Sequence, residues 1–174
     1  MTRSRSLAFL AGAAAVPLAA LVVAGCGGSG ANQTAAPPTT AGGQAATVGV
    51  ATTGLGKTLV DSKGRTLYLF KKDSGTTSAC AGECAADWPP LRANGNPTVG
   101  SGANASQIGT TTRSDGNPQV TYNGHPLYLY EGDQKPGDTN GQGSPAFGAA
   151  WYALSPAGKQ VSGRASSSSD GSGY

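Results

Sequence analysis

The chain has 174 residues, with 12% charged side chains and 28 glycines, where average usage would give roughly a dozen glycines and about twice the charge. That length allows one domain built from two similar halves, and the sparse charge excludes coiled coils and long solvent-exposed helices. The formal charge is +3, but Arg3 and Arg5 fall in a segment expected to be removed. The remaining near-neutral balance leaves no basic face for nucleic acid.

Arg3 and Arg5 followed by the apolar run Leu7 to Val23, interrupted by Pro17, read as a signal peptide over residues 1–25. The run is short for a membrane span, and no charge follows it as a stop-transfer signal. It closes on Val23-Ala24-Gly25-Cys26, which resembles the bacterial lipobox: an aliphatic residue, two small residues and the cysteine that receives lipid. The resemblance implies a diacylglyceryl thioether on Cys26 and an acyl group on its new amino terminus. Several chains together hold a protein firmly to a membrane, where one acyl chain binds only marginally. The alternative is an ordinary secretory signal with Cys26 unmodified. Residues 26–46 and 163–174 are small, polar and rich in Gly, Ser and Pro, the composition of a flexible tether and a tail. One domain is expected over 47–162.

Within it the first strand signal is Thr58-Leu59-Val60, which with the turn Asp61-Ser62-Lys63-Gly64 reads as one arm of a hairpin. The run Leu67-Tyr68-Leu69-Phe70 is apolar at every position, so both of its faces should be covered. Cys80 to Asp87 has room for one or two helical turns. Asn94 to Asn104, rich in Gly and Asn, reads as a loop, and Thr110-Thr111-Thr112 as a strand. Val120-Thr121-Tyr122 before Asn123-Gly124 is the strongest hairpin signal, because Asn-Gly suits a type I′ turn.

The chain repeats itself. Gly64-Arg65-Thr66-Leu67-Tyr68-Leu69-Phe70-Lys71-Lys72-Asp73 aligns with Gly124-His125-Pro126-Leu127-Tyr128-Leu129-Tyr130-Glu131-Gly132-Asp133 at a constant offset of 60. Ala85-Ala86-Asp87-Trp88-Pro89-Pro90-Leu91 aligns with Gly148-Ala149-Ala150-Trp151-Tyr152-Ala153-Leu154 at an offset of 63. The first copy is assigned to about 55–91 and the second to about 110–156. The expected fold is mostly β, a small antiparallel sheet or sandwich of two pseudo-symmetric repeats. Tyr68/Phe70/Asp73 and Tyr128/Tyr130/Asp133, with the lipobox and the Cys80 to Pro90 block, resemble the bacterial lipoproteins of the secreted-repeat-of-unknown-function type. That resemblance implies a repeat architecture and an envelope location, and no activity.

On a strand, Tyr68 and Phe70 should share one face and Leu67 and Leu69 the other, with aromatic pairs stabilising a small sheet. Asp73 and Asp133 then lie just past the strand ends, where carboxylates accept backbone N–H bonds. The competing view makes the tyrosines the lining of a ligand groove, for instance a platform for cell-wall polymer or an envelope protein. Cys80 and Cys84 form a C-x-x-x-C pair whose default state in an exported protein is a disulfide, contributing about 2 kcal/mol by chain entropy. The alternative is copper or thiol–disulfide chemistry by the two cysteines with His125, the one histidine. Against it stand the missing thioredoxin-like pattern and the place of His125 on a turn, aligned with Arg65. The acidic stretch Glu131 to Asn140 invites calcium but lacks the alternation and closing Glu of an EF-hand. No nucleophile–base or metal-hydrolase motif is present; the one carboxylate pair the pseudo-symmetry could bring together, as glycosidases require, is Asp73 with Asp133. The expectation is a lipid-anchored, non-catalytic module without cofactor or metal.

Overall fold

The computed structural model describes residues 45–163. The signal peptide, Cys26, most of the tether and the tail from residue 164 lie outside the described residues. Among the described residues there are eight strands: β1 (Thr47–Thr53), β2 (Gly56–Asp61), β3 (Tyr68–Phe70), β4 (Thr98–Val99), β5 (Ile108–Thr112), β6 (Pro118–Tyr122), β7 (His125–Pro126) and β8 (Trp151–Ala153). One short helix, α1 (Glu83–Asp87), stands in the segment where a turn or two was expected. The fold is mostly β, in small and largely antiparallel sheets: β2-β1-β4, β3-β8 and β5-β6-β7.

The hairpins β1–β2 and β5–β6 are equivalent by the offset of 60, so each repeat opens with a strand pair before its Leu-Tyr-Leu-aromatic run. The chain then turns back on its own second strand. In the first repeat Leu67 N–H donates to Leu59 C=O at 3.0 Å, and in the second Leu127 N–H donates to Val120 C=O at 3.0 Å. Asn123 and Gly124 make the predicted turn, with φ of 49° and 78° and with Tyr122 facing His125 across it. Both angles are left-handed, the requirement of a type I′ turn.

One expectation is corrected. Asn94 to Asn104 is not all loop, because β4 within it pairs in parallel with β1. Gly100 N–H donates to Val48 C=O at 2.7 Å and Val50 N–H to Ser101 C=O at 3.0 Å. Gly100 permits this approach, since a Cβ there would stand 3.3 Å from the Gly49 Cα. Composition marked the segment as loop because a two-residue strand has no periodicity to detect.

Alternation along the two Leu-Tyr-Leu-aromatic runs divides the core in two. Leu67, Leu69, Leu127 and Leu129 face an aliphatic cluster with Val48, Leu59, Leu91, Val120, Tyr122 and Leu154. Tyr68, Phe70 and Tyr128 face an aromatic cluster with Trp88, Trp151, Cys80 and Cys84. Residues i and i+2 share a face of a strand, so one short run supplies both layers and must be apolar throughout.

Gly124 has nothing within 4 Å of an added Cβ, so Gly124→Ala isolates the cost of left-handed backbone. It should lower unfolding free energy by about 1–2 kcal/mol in a urea titration with an unchanged m-value. A loss below a few tenths of a kcal/mol would mean that the turn relaxes to another type.

Candidate functional site

The two repeats meet at Tyr68 and Tyr128. Tyr68 N–H donates to Tyr128 C=O at 2.9 Å and Tyr128 N–H to Tyr68 C=O at 3.0 Å, so the two residues exchange both backbone bonds as an antiparallel pair. Their hydroxyls then cross. Tyr68 O–H donates to Asp133 Oδ2 at 2.7 Å, and Tyr128 O–H donates to Asp73 Oδ2 at 2.9 Å. Each tyrosine of the motif therefore bonds the aspartate of the other copy. The second carboxylate oxygens fix the turns past the strands: Asp73 Oδ1 accepts Ala79 N–H at 2.8 Å and Asp133 Oδ1 accepts Asn140 N–H at 2.9 Å. The turn-shaping role expected of these carboxylates is present. The crossed pairing is not visible in either copy taken alone.

The third motif position follows the same symmetry. Tyr130, Trp88, Trp151 and Phe70 lie in one stack, with successive ring centroids at 4.3, 4.0 and 4.0 Å and interplanar angles of 26°, 7° and 8°. Exchanging the repeats maps this stack onto itself, with Tyr130 replacing Phe70 and Trp88 replacing Trp151. Tyr68 meets Trp88 edge-on at 5.4 Å, and Tyr128 meets Trp151 edge-on at 5.1 Å. Edge-to-face and offset contacts of this kind add to the area the rings bury. Gly141 lies against the rings, where a Cβ would come within 2.7 Å of Trp88 and 3.0 Å of Tyr68.

Tyr68, Tyr128 and Trp151 are fully buried and Trp88 is 1% exposed; of the six motif positions only Tyr130 and Asp73 are half-buried. The face that a tyrosine platform would need is interior. Burial raises both tyrosine hydroxyls far above the ordinary phenol range, and the carboxylates beside them add to the rise. Burial also raises Asp73 and Asp133 above the usual carboxylate range, against the hydrogen bonds they accept.

Cys80 and Cys84 are joined in a disulfide with Cα atoms 5.3 Å apart, inside the usual range. Both are buried in the aromatic cluster. His125 lies on β7, half-buried, with its pKa lowered by burial and by the charge of Lys71. Among the described residues no three of His, Cys, Asp and Glu are grouped to hold a metal ion. In the acidic stretch, Asp138 Oδ2 accepts the N–H groups of Gln134 and Lys135 at 3.0 and 3.1 Å. Its carboxylate fixes a turn.

One network escaped the sequence reading. Arg113, 5% exposed, donates to Ser78 Oγ at 2.9 Å, Gln119 Oε1 at 2.8 Å and Cys80 C=O at 2.6 Å. The Ser78 hydroxyl in turn donates to the Tyr128 oxygen at 2.7 Å, so a buried guanidinium ties the disulfide loop to the tyrosine–aspartate pair. No motif marks Arg113. The only signal is an arginine directly after a strand in a chain with little charge.

A family model described as a secreted repeat of unknown function matches residues 49–92 and 109–155. No curated protein and no solved structure matches the chain.

Removing the Tyr68 hydroxyl leaves Asp133 Oδ2 without its partner where Asp133 is only 8% exposed. Tyr68→Phe should cost about 1–3 kcal/mol in denaturant unfolding, and Tyr128→Phe less, because water reaches the half-buried Asp73. Equal losses would show that exposure does not set the cost. The carboxylates also predict a pH response. Their folded pKa values lie above the unfolded ones, so the stability they contribute is complete below about pH 4 and is lost as pH rises through the folded values. His125, shifted the other way, loses stability as pH falls below about 6.5. Comparing Asp133→Asn with the unchanged chain cancels that histidine. From pH 4 to pH 7 the melting temperature should fall more in the unchanged chain than in Asp133→Asn.

Proposed function

We propose, on the premise that this chain belongs to the family of secreted repeats of unknown function, as its two matched repeats show, that it is a lipid-anchored, non-catalytic module of the cell envelope. It works by binding or by surface structure. Export follows from the family. The anchor rests on Val23-Ala24-Gly25-Cys26 and the uncharged stretch behind it.

The observation that carries the non-catalytic reading is the fate of the repeated motif. Its tyrosines and aspartates bond one another across the repeats, its remaining aromatics stack on the two tryptophans, and the disulfide closes the same cluster. A reacting group must meet its substrate at hydrogen-bond distance, whereas these groups meet each other. The motif is spent on the interior, so recognition belongs to the surface.

The test follows the fate of Cys26 in a bacterial host. The exported chain should partition with membranes, take up labelled palmitate and show a diacylglyceryl mass increment at its first residue. Cys26→Ser should lose all three. Processing to an unmodified Cys26 that leaves with the medium would refute the anchor. In the same host Tyr128→Ala should prevent accumulation of folded protein; a folded variant that loses only its retention on cell wall would restore the platform reading.

A further inference from the structure

A groove of about 350 Å³ opens beside the start of β1, where the chain enters the described domain. Ala45, Ala46 and Thr47 form one wall, Leu91 and Leu129 are among its apolar residues, and Lys63, Arg65 and Arg92 are its cations. Asp61 is its single carboxylate, and it is already occupied. Its Oδ1 accepts the N–H groups of Lys63 and Arg65, each at 2.9 Å, and its Oδ2 holds the Arg65 guanidinium at 2.9 and 2.8 Å. That leaves two cations uncompensated within the lining. Arg92 stands 3.7 Å from Asp115, with both side chains 42% exposed, a pairing worth little in solvent. Lys63 has no ion-pair partner among the described residues.

These cations belong to the first copy alone. By the repeat offsets, the second copy places Asn123 opposite Lys63, His125 opposite Arg65 and Ser155 opposite Arg92. The second copy carries no lysine or arginine at any of the three positions and turns differently there, through left-handed Asn123 and Gly124 with Tyr122 facing His125. A groove whose lining carries three cations against one carboxylate already satisfied suits an anionic ligand. The groove wall is also the part of the domain closest along the chain to Cys26.

We infer that this groove receives the anionic headgroup of a phospholipid from the membrane that holds the chain. The inference rests on the anchor reading for its choice of lipid. The domain would then sit against its own membrane in an orientation fixed by Lys63 and Arg92, with the opposite end turned outward.

The exported chain carrying Cys26→Ser is sedimented with vesicles of phosphatidylcholine alone or of equal parts phosphatidylcholine and phosphatidylglycerol. Binding should appear with the anionic vesicles only and weaken with added salt. Lys63→Ala and Arg92→Ala should each reduce it about five-fold, the loss expected per surface cation, with melting temperatures unchanged, while Lys159→Ala, exposed and outside the groove lining, should leave it intact. Absence of binding, or an equal loss with Lys159→Ala, would overturn the inference. So would full competition by millimolar inorganic phosphate, which would make the groove a site for the free anion, or binding restored only by removing residues 27–44, which would make the tether its occupant. The mass of Cys26 in the unsubstituted chain reports separately on the anchor, so failure of either idea is recognisable.

Discussion

The structure depends on one exchange, in which each repeat supplies the tyrosine that bonds the aspartate of the other. Tyr68 and Tyr128 share two backbone bonds at the axis between the copies and then send their hydroxyls outward to Asp133 and Asp73. A single repeat would hold a buried phenol and a turn carboxylate with no partner for either, and burying unpaired polar groups costs several kcal/mol. The motif spacing follows from this geometry. Two residues from tyrosine to aromatic keep both on one face of the strand, and three more carry the aspartate past the strand end to meet the incoming hydroxyl.

Small domains bury proportionally less surface than large ones, and this one has few aliphatic residues to bury. It meets the shortage with area per residue. Trp88 and Trp151 lie face to face at the centre of a four-ring stack, and the two tyrosines close on them edge-on. Large rings demand close neighbours, which explains why Gly141 stands where any side chain would collide with Trp88. The disulfide, buried in the same cluster, and the guanidinium of Arg113 hold the loop that leads from β3 into α1.

Much of the fold was legible in the sequence for a physical reason: repetition gives two readings of one pattern. The face division along Leu67 to Phe70, the Asn123-Gly124 turn, the short helix and the disulfide all follow from local rules. What local rules missed was long-range. β4 is two residues long and pairs in parallel with a strand far upstream; nothing within its own window distinguishes it from loop. The exchange of aspartates between repeats could not be seen either, because a carboxylate bonded within its copy and one bonded across copies have the same sequence. Arg113 belongs to the same class. Its partners Ser78 and Cys80 lie in the other repeat, and only the folded chain brings them together.

Pseudo-symmetry separates what the fold needs from what it merely carries. Tyrosine, aromatic, aspartate and tryptophan occur in both copies because the axis between the repeats requires both. The cysteines, Arg113 and the groove cations occur once. For the cysteines and Arg113 a structural role is evident, since they hold the first-repeat loop that the second repeat replaces with a glycine-rich one fixed by Asp133 and Asp138. Lys63 and Arg92 are exposed, Lys63 on a turn and Arg92 beside Asp115 at 3.7 Å, and the second copy has Asn123 and Ser155 at their places. Exposed charge that occurs in one copy only, unpaired at Lys63 and only weakly paired at Arg92, is hard to account for by packing, so these residues are where a partner of this domain should be sought.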